Sequence, residues 1–140
     1  MSALYDTTDA MRFSASKFLD AVCGTAQQIF PSNIKIVCES ASAELDNDVA
    51  MPLALILNEL LTNSVKYGCN GVGENLIRVG LTNGGGDFVL YVEDDGPGFD
   101  LQSVVNQSSG LKLVQLLARQ LHGHFEVVSE PRGRCSVRFS

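Results

Sequence analysis

The sequence predicts an α/β protein built as a two-layer sandwich, with a mixed sheet of about five strands packed on three helices. Three observations carry this. Segments 14–30, 52–68 and 110–123 repeat apolar residues close to the helical period. Five shorter stretches, 34–39, 75–83, 87–94, 124–130 and 135–140, read as strands. Their order is mixed, with strands joined as hairpins between single helices, which does not fit a doubly wound sheet. At 140 residues, with 45% hydrophobic and 19% charged residues, the chain reads as one domain, 1–140, able to bury a single core.

The elements follow in order. "SASKFLDAVCGTAQQIF" places Phe18, Val22, Ala26 and Ile29 at near-helical spacing, and Pro31 stops that helix. "IKIVCE" is a strand. Residues 40–50 are small and polar, with Asp46 and Asp48, and no element is expected there. Pro52 suits a helix's first turn, so "PLALILNELLTNSVKYG" should run as a helix to Gly68. "NLIRVGLTN" and "DFVLYVED" make a hairpin through Gly84–Gly86. "GLKLVQLLARQLHG" is a third helix ended by Gly123. "HFEVVSE" and "CSVRFS" form a last hairpin turning at "PRGR".

Composition narrows the function classes. The net charge of −6 argues against nucleic acid as the main partner. It leaves anionic ligands open, since local dipoles and single cations hold phosphates. Cys23, Cys38, Cys69 and Cys135 are widely spaced without a CxxC pair, which reads as free thiols in a reducing compartment and not as a zinc site or disulfide framework. There is no signal peptide and no apolar run long enough to span a bilayer, so the expected location is cytoplasmic, with no membrane contact by this domain.

Three stretches carry candidate chemistry. On the second helix Leu53, Ile56, Leu57, Leu60, Leu61 and Ser64 share one face. Glu59, Asn63 and Lys66 line up beside it at i, i+4, i+7, and Tyr67 sits between stripe and face. This is either an ordinary solvated stripe or one wall of a polyphosphate site. In the second case the Asn63 oxygen suits Mg²⁺, the Lys66 ammonium suits phosphate oxygens, and Glu59 orients water or a metal-bound group. "VEDDGPGF" (92–99) is either a charged β-turn or a place where a ligand meets a carboxylate edge and bare backbone. Ser108, Ser109 and Gly110 precede the third helix's apolar run of Leu111, Val114, Leu117, Ala118 and Leu121. They are a plain serine cap or an open helix N-terminus that favours an anion. Phe99 to Ser109 is then a short lid or a surface loop.

The order "NELLTNSVKYG", "DDGPGF", "SSGLKLV" resembles the GHKL ATPase family of histidine kinases, type II topoisomerases and Hsp90 chaperones. Within it the chain is similar to the catalytic ATP-binding domain of sensor histidine kinases, in particular the HWE/HisKA_2-like group. "ALYDTTD" near the start is similar to the segment that follows the phosphoacceptor helices in that group, and the resemblance runs from about Leu4 to Phe139. It implies the Bergerat fold, and ATP with Mg²⁺. It implies that Asp94 accepts the adenine amino group, while Gly96 and Gly98 let the backbone approach the nucleotide. An acceptor-only carboxylate would repel the guanine carbonyl at that edge. By the same resemblance Asn63 ligates Mg²⁺, Lys66 contacts phosphate, Tyr67 lies near the base or ribose, and Gly110 and Leu111 close the lid on phosphates through backbone N–H groups. Glu59 stands where the ATPase branch has its general base, so activation of a nucleophile and ordering of metal or water are both implied.

Two features depart from the pattern. Gly110-Leu111-Lys112-Leu113 loses one glycine of the common GLGL motif, and Lys112 faces solvent or touches a phosphate. His122 and His124 are the only histidines, and neither lies on a long N-terminal helix, so each is a surface or capping residue. The resemblance therefore implies a catalytic module whose phosphoacceptor and dimerisation helices lie outside residues 1–140. It would transfer the ATP γ-phosphoryl group to a histidine on a separate dimerisation domain, in cis or on a dimer mate. A response regulator would be served indirectly. A stand-alone anti-sigma-factor-type serine kinase, a degenerate nucleotide-binding scaffold and a GHKL hydrolase fragment are the alternatives.

Overall fold

Ser14 starts the first helix. Its extended backbone and its hydroxyl, which accepts from the Lys17 N–H at 3.4 Å, cap α1, Ala15–Ile29. The computed structural model describes residues 12–39, 44–68, 74–84, 86–94, 109–128 and 133–139. Residues Ala15, Leu19, Cys23 and Ala26 form the buried face of α1, and Phe18 and Val22 flank it. Ile29, grouped by spacing with the apolar series, is instead 75% exposed, because the buried face follows Leu19 and Cys23.

Before α1 lies β1, Arg12–Ser14, which pairs antiparallel with β3, Glu44–Asp46. This two-stranded ribbon was not expected from the sequence, which showed only a polar stretch. Three residues are too few to display a period. Leu45, opposite Phe13 and 3% exposed, supplies the burial that holds the ribbon. Between the two strands in chain order comes β2, Ile34–Glu39, which belongs to the main sheet.

The second helix begins earlier than expected. A 3₁₀ turn, Asn47–Val49, leads into α2, Ala50–Asn63. Pro52 thus falls in the first turn, where its missing N–H would have no intrahelical partner. The predicted apolar face is buried in full: Leu53, Ile56, Leu57, Leu60 and Leu61 are inaccessible to solvent and Ser64 nearly so. The α-helical ladder does not reach Gly68. At Ser64 the N–H is shared between the Leu60 and Leu61 carbonyls, and Ser64–Gly68 form a π-helical turn.

The remaining elements are β4 (Asn75–Gly84), β5 (Asp87–Asp94), α3 (Ser109–Gln120), β6 (His124–Val128) and β7 (Arg134–Phe139). The five-stranded sheet has the order β2-β4-β5-β7-β6, with β2 parallel to β4 and every other pair antiparallel. The expected mixed sheet and single helical layer are therefore present. Ile77, Val79, Leu81, Leu90, Val92, Cys135, Val137 and Phe139 point into one core with the three helices, and α2 contacts both α1 and α3. Parts of the expected glycine turn and of "PRGR", namely Gly85, Pro131 and Arg132, lie outside the described residues.

The other face of the sheet is polar but ordered. The Tyr91 ring covers Gly80, its partner in register, so closely that a Cβ there would collide with it. The Tyr91 hydroxyl donates to Glu39 Oε1 at 2.5 Å, and the Arg134 guanidinium stacks 4.1 Å from the ring centroid. Burial, with the Glu39 hydrogen bond and charge added, pushes the Tyr91 phenol up to about 12.

The end of α3 corrects one detail. The His122 N–H donates to the Arg119 carbonyl at 3.0 Å and the Gly123 N–H to the Ala118 carbonyl at 2.8 Å. This is a Schellman closure, and its left-handed residue is His122, at φ 58°, not Gly123. Gly123 is required for another reason: a Cβ there would run into the Arg138 backbone carbonyl. His122→Gly should therefore stabilise the domain by about 1 kcal/mol, by relieving a left-handed non-glycine residue. Gly123→Ala should destabilise it by about 1–3 kcal/mol, since backbone cannot move aside as a flexible side chain can. Urea unfolding of both variants checks the two opposite signs.

Candidate functional site

Among the described residues, three polar or charged side chains are buried: Asn63 and Ser64, each 2% exposed, and Asp94, 4% exposed. Isolated buried polar groups are costly, so their grouping marks a place with a reason. Asn63 is the last residue of α2, and Ser64 opens the π turn. Asp94 is the last residue of β5 and points to the helical side, in phase with Leu90 and Val92. The π turn touches β5, and α3 packs along α2. One end of the helical layer thus gathers the end of α2, the end of β5 and α3.

Each group is held locally. Asn63 Nδ2 donates to the Glu59 backbone carbonyl at 2.7 Å. That fixes the amide orientation and leaves the side-chain oxygen as the atom a cation would meet. The Asp94 N–H donates to the Gly133 carbonyl at 2.9 Å, so the strand end is tied to the start of β7. Cys135, on the inner face of β7 and diagonal to Asp94, is pushed up to about 12, first by burial and then by the Asp94 charge. Leu111, in the first turn of α3, is fully buried, and Gly110 beside it is half-buried.

The expected stripe is not one uniform surface. Asn63 is buried, Glu59 half-buried and Lys66 exposed. The wider π turn carries Lys66 away from its α-helical phase, and reasoning at 3.6 residues per turn misses this. Tyr67 and Gly68 belong to the same turn. Lys112 is exposed. Gly96 and Gly98, the neighbouring Asp95 and the loop from Phe99 to Ser108 lie outside the described residues, as do Cys69 and the 3–9 segment. Ser64 and Cys135 were not singled out as site neighbours. The available signal was a serine in an otherwise apolar helical face.

Cavities lined by described residues lie elsewhere. One of about 240 Å³ runs between α3 and the β6 edge, beside Gln115, Arg119 and Phe125, and another of about 280 Å³ lies between α1 and α2, beside Val22 and Asn58. Neither adjoins the buried polar group. No cluster of three or more His, Cys, Asp or Glu side chains suited to a metal occurs among the described residues. Mg²⁺ needs no such cluster, because it is commonly held by one or two protein oxygens together with substrate phosphates. No helix among the described residues is long and apolar enough to cross a membrane.

Residues 48–140 match the family described as histidine kinase-, DNA gyrase B-, and HSP90-like ATPase. The chain belongs to this ATPase family. The matched span contains α2, the buried polar group, α3 and four of the five strands of the main sheet. The domain is 29% identical over 120 residues to the sensor histidine kinase ComP of Bacillus subtilis (strain 168), covering 84% of this chain and 15% of that protein. The chain thus spans only a small part of that relative's length. Its fold is similar to the histidine kinase domain of the blue-light activated histidine kinase EL346 of Erythrobacter litoralis, with a TM-score of 0.79 at 17% identity, over 91% of this chain and 61% of that one. It is also similar to the ATP binding domain of PrrB from Mycobacterium tuberculosis, with a TM-score of 0.75 at 21% identity, over 91% of this chain and 94% of that one. The family match, and a fold shared with these ATP-binding domains, agree with the ordered motifs in making this an ATPase-family domain.

The influence of the Asp94 charge on Cys135 is open to direct measurement. A negative charge disfavours a thiolate, so Asp94→Asn should lower the Cys135 pKa. Burial remains the larger cause, so the thiol should still titrate above its ordinary value. The Cys135 ¹³Cβ shift followed through a pH titration of both proteins would report this, and an unchanged titration would separate the two side chains.

Proposed function

We propose that this domain binds Mg²⁺-ATP at the junction of the α2 end, the β5 end and the α3 start, and donates the γ-phosphoryl group to a histidine on a separate dimerisation domain. The observation that carries this reading is the buried carboxylate of Asp94 at the end of β5, with the buried amide of Asn63 at the end of α2 and the π turn that follows it in contact with β5, in a domain of this ATPase family.

The roles follow from the chemistry of each group. Asp94 accepts a hydrogen bond from the adenine amino group and repels guanine. Gly96 and Gly98 keep the following backbone free of side chains. The Asn63 oxygen ligates Mg²⁺ that also binds phosphate oxygens, and Lys66 neutralises phosphate charge. Glu59 orders water or a metal-bound group. Tyr67 lies near the base or ribose, and the first N–H groups of α3 at Gly110 and Leu111 meet the phosphates. Positioning and charge neutralisation then account for most of the transfer. The acceptor helices belong to another domain, in cis or on a dimer mate, a response regulator receives the phosphoryl group in turn, and the domain works in the cytoplasm.

His122 and His124 do not suit the acceptor role. Gly110 to His122 spans twelve positions. At 1.5 Å of rise each, the histidine lies roughly 18 Å along α3 from the proposed phosphate site. Both histidines are exposed at the far end of that helix.

Titration calorimetry should show ATP and ADP binding and GTP failing to bind at matched concentration. Asp94→Asn should weaken ATP by about 1.5–3 kcal/mol, the value of a hydrogen bond to a charged group. Asn63→Ala should weaken Mg²⁺-ATP more than metal-free ATP. Equal affinity for GTP, or parent-like binding by both variants, would misplace the site. With radiolabelled ATP, an acid-labile and base-stable label should appear on histidine-bearing dimerisation helices added in trans, and none on the isolated chain. Label on a serine of a small protein partner would support the serine-kinase reading in its place.

A further inference from the structure

We propose that Cys23 and Cys38 form a peroxide-sensitive dithiol, an oxidative modification site that can link α1 covalently to the edge strand β2. Cys23 projects from the sheet-facing side of α1 and is 4% exposed. Cys38 is the penultimate residue of β2, half-buried and packed against the core beneath α1. Its Sγ donates to the Leu19 carbonyl at 3.7 Å, one helical turn before Cys23. Leu19 and Cys23 are four residues apart on one face of α1, so the Cys38 Sγ lies at the turn that carries the Cys23 thiol, and each sulfur perturbs the ionisation of the other.

The pair is asymmetric in accessibility, Cys38 being half-buried and Cys23 4% exposed, and that asymmetry assigns the roles. Donation from the Cys23 S–H holds Cys38 below the usual thiol range, against burial and the Asp20 charge, which both act to raise it. Cys23 is raised, first by that hydrogen bond, then by burial and by the charges of Cys38 and Asp20. Cys38 is also the more accessible sulfur. It is the peroxidatic thiol and Cys23 the resolving one. Cys135, buried on β7 and raised to about 12, has neither property.

The steps balance with hydrogen peroxide as the oxidant. The Cys38 thiolate attacks one peroxide oxygen, the O–O bond breaks, and the S–O bond of a sulfenic acid forms while hydroxide leaves and takes up a proton. The Cys23 sulfur then attacks the Cys38 sulfur. The S–S bond forms, the S–O bond breaks, and the departing hydroxide takes the Cys23 proton as water. In sum, two thiols and one peroxide give one disulfide and two waters. The bond closes a short loop across the Pro31 turn, where Gln27 already fastens the same strand to the same helix. Neither cysteine belongs to the proposed nucleotide junction, so this proposal stands or falls without it.

The test uses the full chain treated with hydrogen peroxide, alkylated, digested without reductant and mapped by mass spectrometry. A peptide linking Cys23 to Cys38 is expected, lighter than its reduced parts by two hydrogens and separated by dithiothreitol. The melting temperature of the oxidised chain should rise. In Cys23→Ala, which cannot resolve the sulfenic acid, dimedone should label Cys38. Both cysteines remaining alkylatable after peroxide, a linked peptide through Cys69 or Cys135 in their place, or a dimedone adduct on another cysteine would each overturn the proposal. Mapping of the parent chain decides the matter even if the alanine variant does not fold.

Discussion

A buried carboxylate at the end of the central strand constrains much of this domain. Asp94 belongs to β5, the middle strand of five, and faces the helical layer at 4% exposure. A carboxylate taken out of water is costly unless hydrogen bonds and charges meet it, and the penalty is several kcal/mol even after relaxation. The neighbouring framework accordingly fixes its backbone on both sides. Ile77 of β4 stands opposite on one flank, and the Gly133 carbonyl receives the Asp94 N–H on the other. The end of α2 adds a second buried polar residue, with its amide nitrogen committed to the Glu59 carbonyl. Buried ionisable groups of this kind concentrate at functional sites, so the position of Asp94 directs attention away from the cavities between α3 and β6 and between α1 and α2.

The sheet that carries this group is closed off by side chains at its edge and on its outer face. β2 is an edge strand, and its free side would be a template for further pairing. The Gln27 side chain occupies that side, donating to the Ile34 carbonyl at 2.6 Å and accepting from the Ile36 N–H at 2.8 Å, as a neighbouring strand would. On the outer face Tyr91 lies over Gly80 while Arg134 stacks on the ring, so an aromatic side chain becomes nearly buried on a face that no helix among the described residues covers. Glu93 faces both Arg78 and Arg134 at 3.8 and 3.9 Å. These pairs are partly exposed and contribute little each; their effect is to order the strand registers at the surface.

The sequence announced the parts of the fold that have long periods. The apolar face of α2 could be listed residue by residue, because six positions at helical spacing leave one solution. The five strands and the mixed order were readable for the same reason. β1 and β3 were not, since a three-residue ribbon has no period and depends on a tertiary contact at Leu45. The π turn was hidden because residues that suit an α-helix also suit a π turn, so local sequence does not separate them; in the fold this turn meets β5. His122 shows the opposite error: glycine is the usual left-handed residue, yet here the glycine is needed one position later for the close passage of Arg138. In the candidate site, Asn63 and Asp94 could be named from motif spacing, and both prove buried, whereas the neighbourhood of Cys135 depends on strand register.

The π turn explains how one helix serves both core and site. An α-helix with leucines on most of its inner face would continue burying apolar surface to its end. Widening the last turn ends the regular ladder at Asn63 and Ser64, and these two polar residues remain inside while the next charged residue, Lys66, swings to solvent. The helix therefore stays anchored by Leu60 and Leu61 directly below the point where it turns polar. Packing beneath and a widened turn above give an amide held in place and a lysine exposed to solvent. A regular turn would preserve the α-helical phase of Lys66 but would lose this division between a buried, hydrogen-bonded amide and an exposed cation.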